Sequence, residues 1–214
     1  EEAERLSETL EQFGVPPLPP YIKRKESEEE QILQDRERYQ TVYASVPGAI
    51  AAPTAGLHFT PEILNSLQKR GIKIFELTLH VGLGTFSGVK DSDLRKHNKH
   101  SEHFQISENV LQELLKMKEQ GRSVVAVGTT VVRVLESLAQ EKYQRLSGWT
   151  DIFIYPSYQF QMIDGMLTNF HLPKSTLLML VSALCGRKTL MKAYSEAIRQ
   201  NYRFFSYGDC MLIL

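Results

Sequence analysis

The chain has 214 residues with 42% hydrophobic and 23% charged side chains, enough apolar material to bury a core, which excludes wholesale disorder and low-complexity scaffolds. Its 25 Lys+Arg balance 25 Asp+Glu, but the balance is uneven: residues 1–38 carry 11 acidic and 6 basic side chains, net −5, leaving 14 acidic and 19 basic beyond them, net +5. A nucleic-acid partner is therefore permitted but not demanded, and two cysteines with no charged leader before an apolar run place the chain in the cytoplasm.

Residues 1–13 put Leu6, Leu10 and Phe13 at helical spacing before Gly14, which predicts a short amphipathic helix. Pro16, Pro17, Pro19 and Pro20 then forbid helix and central strand, and they deliver Tyr21 and Ile22 on an extended connector. We expect a junction here, with residues 1–26 as helix and connector and 27–214 as the main folding unit. Residues 26–38 read as a charged helix with a solvated face.

From Gly48 the pattern alternates strand and helix. Residues 48–52 predict a short strand; Thr60 caps a helix with Pro61 at its first position and Gly71 after it; residues 72–80 follow as a strand. Ser107 caps a second helix whose stripe is Val110, Leu111, Leu114, Leu115 and Met117. Residues 123–127 read as a strand covered on both faces, and 131–139 as a third helix. Strands over 151–155 and 165–170, helices over 175–185 and 188–200, and a buried strand over 210–214 complete the list. The longest apolar stretch, residues 177–185, has nine residues including Ser182, about half of the ~20 that cross a bilayer. The alternation predicts an α/β fold, helices layered around a mixed or mostly parallel sheet.

Several segments hold candidate chemistry. The glycines of residues 82–88 miss dinucleotide-binding spacing, because the third falls one residue late. Gly128-Thr129-Thr130 lies between a strand and a helix, where α/β sheets bind ligands; Thr129 or Thr130 is then a ligand contact, an N-cap or both. No lysine of the phosphate-loop type accompanies it. His97, His100 and His103 step by three with Glu102 among them, but on a loop running into a strand that spacing does not gather ligands, so no metal is expected. Thr54 and His58 occupy a loop of small residues, and Thr168, Asn169 and His171 a strand end closed by Pro173. Residues 203–209 place Phe205, Tyr207 and Asp209 before the last strand, as a hydrophobic clamp or as rings that stack a purine.

Seven segments in order resemble the S-adenosylmethionine:tRNA ribosyltransferase-isomerase family of queuosine biosynthesis: Leu18-Pro19-Pro20-Tyr21-Ile22; Tyr39-Gln40-Thr41-Val42-Tyr43; residues 51–59; Thr78-Leu79-His80-Val81-Gly82 with Gly84-Thr85-Phe86; Gly128-Thr129-Thr130 with Arg133 and Leu135-Glu136; residues 168–173; and residues 204–209. The resemblance runs from about Leu18 to the end and covers the C-terminal two thirds of the family pattern, which implies that the family's inserted β-barrel domain lies largely before residue 1. The missing initial Met agrees with that expectation. Departures include Ser157, where the family has Gly after Tyr-Pro, and Lys99, where it has Met.

The resemblance implies transfer and isomerisation of the ribosyl part of S-adenosylmethionine onto a 7-aminomethyl-7-deazaguanine at the tRNA wobble position, giving epoxyqueuosine, adenine and methionine. S-adenosylmethionine is then a co-substrate, with no permanent cofactor, and the tRNA anticodon loop is the partner; no membrane is involved. Such a reaction needs a base beside the sulfonium, a donor to departing adenine and a surface for RNA. We expect the base to be His58, His80 or His171, all on one sheet edge, with Glu102 or Asp209 serving ribose hydroxyls or the adenine proton. Thr54, Gly128, Thr129, Thr130 and Asn169 would hold the methionine or ribose part, Phe205 and Tyr207 would stack a base, and Arg24, Lys96, Lys99 and Arg133 would meet RNA. Two other readings stand beside it: a relative that binds ligand or tRNA without turnover, and a metal-dependent hydrolase built on His97, His100 and His103.

Overall fold

A computed structural model of the chain describes residues 9–10, 12–24, 29–80 and 101–214. The glycine segment 82–88 and Lys96, His97, Lys99 and His100 lie outside them, as does most of the segment read as the first helix.

Among the described residues six helices and six strands follow one another: α1 (Glu29–Arg38), a 3-10 turn (Thr54–His58), α2 (Pro61–Lys69), β1 (Thr78–His80), β2 (Glu102–Gln105), α3 (Glu108–Glu119), β3 (Val125–Val127), α4 (Thr129–Gln140), β4 (Ser147–Thr150), β5 (Gly165–Asn169), α5 (Thr176–Cys185), α6 (Arg187–Arg199) and β6 (Cys210–Ile213). The α/β class is as expected, but the strands divide between two sheets. One is antiparallel, in the order β1-β2-β4; the other is mixed, in the order β3-β5-β6, with β3 parallel and β6 antiparallel to β5. Among the described residues β3 and β5 are the one parallel pair.

Helix starts follow their sequence signals. Thr60, Ser107 and Ser175 each accept the N–H three residues on, at 3.2–3.3 Å, a cap whose loss to Ala costs about 1 kcal/mol. Between the sheets lies α4, in contact with β3, β4 and β5. Half of its twelve residues are polar, yet Val132 together with residues 134–139, Glu136 and Ser137 included, is buried. The core gathers Phe104 of β2, Leu111 and Leu114 of α3, Ala126 of β3, Met166 of β5, Leu180 and Val181 of α5 and Leu190 of α6 around it.

Glu136 of α4 is wholly buried and accepts the N–H groups of Gln161, Met162 and Ile163 and the hydroxyl of Tyr158 at 2.9–3.2 Å. Four donors spread the carboxylate charge and tie the loop before β5 onto the helix. In that loop the Tyr158 N–H closes on the Tyr155 carbonyl at 3.0 Å, with Pro156 second and Ser157 third at φ 84°. This turn favours glycine at its third position, the residue that the family resemblance leads one to expect there.

Several strand expectations fail. Residues 48–52 form no ladder: Pro47 and Pro53 remove donors on either side, and Gly48 turns at φ 127°. Residues 151–155 are irregular too; the pairing goes to 147–150, while Ile154 enters the core without a partner strand. The last strand is not buried, since Leu212 is 59% exposed. Nor is β3 covered on both faces, because Ala126 is buried while Val125 is open. The charged run 26–38 is not wholly solvated either: Asp35 is buried and takes the Arg24 guanidinium at 2.7 and 3.0 Å.

Candidate functional site

The parallel pair places the site. Val127 of β3 lies beside Leu167 of β5, and the Gly128 N–H donates to the Leu167 carbonyl at 2.8 Å. There β3 leaves the sheet: Gly128, at φ 93°, turns the chain into α4, a conformation in which a side chain is strained. β5 continues through Thr168 and Asn169, both buried, against Met211 and Cys210 of β6. The end of β5 thus outruns its parallel neighbour, and the 3-10 turn packs onto it. Gly128 is itself the N-cap, with no side-chain cap bond, so Thr129 and Thr130 are not caps; Thr129 is buried in the first turn.

Asn169 is the hub. Its Oδ1 accepts the Thr54 hydroxyl at 3.2 Å, and its Nδ2 reaches His58 Nε2 at 2.9 Å and the Phe205 carbonyl at 3.2 Å. Phe205 is held at φ 73° with its N–H on the Phe170 carbonyl at 3.1 Å. This left-handed backbone costs a non-glycine residue on the order of 1 kcal/mol. Segments some 110 and 36 residues from Asn169 in sequence thereby meet on one buried amide.

Two histidines belong to this edge. Burial holds the His58 pKa below its ordinary value, with the Asp209 charge opposing in part. His171 Nε2 lies 2.9 Å from the Thr168 hydroxyl, and its N–H donates to the Tyr194 hydroxyl at 2.7 Å. Desolvation pushes its pKa down to about 4. Both imidazoles are therefore neutral near pH 7. Asp209 closes its own loop, with Oδ2 on the Arg203 N–H at 2.7 Å, while its charge reaches His58.

Other expected site residues are placed elsewhere. His80 ends β1 in the antiparallel sheet, across from His103, and its ring lies against Gly48; the three candidate histidines do not share a sheet edge. Glu102 is buried on the inner face of that sheet, 2.8 Å from Arg133 of α4, and Arg133 also donates to the Ile152 carbonyl at 3.2 Å. Each satisfies the other inside the fold, because an unpaired charge at either position is costly. Arg24 is joined to Asp35 in the same way. The aromatic pair diverges: the Phe205 ring faces Tyr21 at 5.1 Å, whereas the Tyr207 hydroxyl donates to Asp35 at 2.9 Å and its ring meets Tyr39 edge-on. Burial, reinforced by the Asp35 carboxylate, pushes the Tyr207 phenol well up.

Tyr194 and Asp35, which bond to the candidate residues His171 and Tyr207, carry no signal in the sequence. One stands on a helix and the other in a charged run, with nothing local to mark them. His80, His103 and Trp149 were also not seen as a group: they are consecutive cross-strand partners on the outer face of the antiparallel sheet, with rings 5.7 and 5.2 Å apart and Trp149 60% exposed. Among the described residues no group of three or more His, Cys, Asp or Glu is arranged to hold a metal ion, and no helix is long and apolar enough to cross a membrane.

Comparison with known proteins places this geometry in context. The profile of the family described as queuosine biosynthesis protein matches residues 2–213. The curated S-adenosylmethionine:tRNA ribosyltransferase-isomerases of Halothermothrix orenii and Desulfitobacterium hafniense are 55% and 54% identical over 98% of this chain. The chain spans 60% of the length of each. A crystal structure of the S-adenosylmethionine tRNA ribosyltransferase of Thermotoga maritima superposes with a TM-score of 0.62 at 44% identity, over 75% of this chain and 51% of that one. With nearly every residue matched by the family profile, the chain belongs to the queuosine biosynthesis protein family.

Proposed function

We propose that this chain is the α/β part of an S-adenosylmethionine-dependent tRNA ribosyltransferase-isomerase. It moves and isomerises the ribosyl group of S-adenosylmethionine onto 7-aminomethyl-7-deazaguanine in a tRNA anticodon loop, leaving epoxyqueuosine and releasing adenine and methionine. The observation that carries the reading is the convergence on Asn169: Thr54, His58, Phe205 and Asp209, from two of the segments that bear the family resemblance, meet at the end of β5, which belongs to a third.

The chemistry distributes as follows. Thr54 and the Gly128-Thr129-Thr130 turn line the edge where a methionine or ribose group binds, next to the start of α4. His58 and His171 are the imidazoles at hand for proton handling, and Asp209 sets the potential around His58. RNA contact falls to the basic body of the chain, so tRNA binding weakens steeply as salt rises. Arg24 and Arg133, held in internal ion pairs, contribute to it less than surface cations do.

The test is incubation with S-adenosylmethionine and tRNA bearing the aminomethyl-deazaguanine, followed by mass analysis of the nucleosides. Free adenine together with the epoxide nucleoside is the expected outcome. Ligand binding without either product would show a relative that binds and does not turn over.

A further inference from the structure

We infer that Asn169 is a positioning residue that fixes His58 as its Nδ1–H tautomer, so that His58 meets substrate as a hydrogen-bond donor and not as the proton-removing base. The role of donor rests on the proposed reaction; the tautomer does not.

The Phe205 carbonyl faces the Asn169 side chain. A carbonyl oxygen only accepts, so the end of the Asn169 amide lying 3.2 Å from it is the NH2 end. The same nitrogen lies 2.9 Å from His58 Nε2, so that ring nitrogen accepts. The oxygen end of the amide faces Thr54 at 3.2 Å, and the hydroxyl donates to it. Both protons and the oxygen of a buried amide are then used, with no freedom to flip.

A neutral imidazole with Nε2 accepting carries its proton on Nδ1. Burial keeps the ring neutral near pH 7, and the ionised neighbour facing it is Asp209, whose carboxylate accepts the Arg203 N–H at 2.7 Å. Among the described residues Nδ1 of His58 makes no hydrogen bond, and its proton is available to substrate.

A ring in this state has its basic lone pair on Nε2 already engaged. It suits the second demand of the reaction: as the C–N bond to adenine breaks, the bonding pair moves onto the base, and an N–H facing a ring nitrogen stabilises that charge. The proton beside the sulfonium goes to another group. The backbone strain at Phe205 then has a use, because it turns the carbonyl that orients the amide.

Long-range nitrogen–proton NMR of the 15N-histidine-labelled chain at neutral pH reads the tautomer directly. His58 should show the Nδ1–H pattern, and N169D, which replaces the donor with an acceptor, should shift it toward Nε2–H. An Nε2–H pattern in the wild type overturns the proposal, whether or not the variant folds. For the role, adenine release should fall about a hundredfold or more in H58A and recover at least tenfold of that loss in H58Q, whose amide still donates. Equal rates for the two variants would overturn the donor role. The spectrum is read with or without turnover, so an inactive wild type counts against the function and not against the tautomer.

Discussion

Histidines lie against both of the sheets described, and the two sheets treat them differently. At the edge of the mixed sheet, His58 and His171 have ring nitrogens within hydrogen-bond reach of Asn169 and Thr168 and are desolvated toward the neutral form. On the antiparallel sheet, His80 and His103 lie in a row that ends in a largely exposed Trp149. Topology makes the difference. Where β3 turns away from its parallel neighbour, β5 is left with an end that a second segment must cover, and polar atoms from distant parts of the chain are enclosed together. The antiparallel sheet buries Leu79, Phe104 and Thr150 on its inner face and leaves the other face to rings and short polar side chains.

Substitutions on each sheet test that difference. The largest stability effect belongs to the inner face of the antiparallel sheet: R133A removes the guanidinium 2.8 Å from Glu102, which is 3% exposed, and should lower unfolding stability by about 3–5 kcal/mol in urea titrations. A loss under 1 kcal/mol would mean that the pair is not sealed between β2 and α4.

Next comes pH. The folded state refuses a proton at His171 until about pH 4, whereas the unfolded chain accepts it near 6.5. The stabilising contribution is therefore complete above 6.5 and disappears as pH falls through the window from 6.5 to 4, at about 1.4 kcal/mol per unit and on the order of 3 kcal/mol in all. His58 acts with the same sign. Urea midpoints at pH 7.5 and 5 should separate clearly in the wild type and less in H171Q; equal separation in both would place the titration elsewhere.

The smaller effect belongs to the open face. W149A removes a largely exposed ring with one edge contact to His103, a change worth about 0.5–1 kcal/mol. A larger loss would show that this face is covered and that the contrast between the sheets is overdrawn.

What the sequence made legible were local signals. Thr60 and Ser107 announced their helices because capping is decided within four residues, and Gly128 announced its turn because only glycine takes φ 93° without strain. Thr54, His58 and Asn169 stood out for lying at loop and strand ends. That they share one amide was not legible, since it depends on which strands neighbour β5. Arg24 and Arg133 read as surface cations because Asp35 and Glu102 lie 11 and 31 residues away, a distance at which partners are chosen by the fold. The 151–155 strand failed for the same reason: its apolar residues do reach the core, but pairing is a property of the neighbour. Ser157 is the opposite case, a local signal that the turn explains. S157G should gain about 0.5 kcal/mol by relieving φ 84°, seen as a small upward shift in Tm.

In the proposed reaction the end of β5 is where the chemistry happens. This placement is tested most directly by adenine release from S-adenosylmethionine, in the presence of substrate tRNA, for the wild type and N169A compared at equal folded fraction. The account predicts a fall of about a hundredfold or more, because His58, Thr54 and the Phe205 carbonyl lose their common partner. A rate for N169A within threefold of wild type would contradict it.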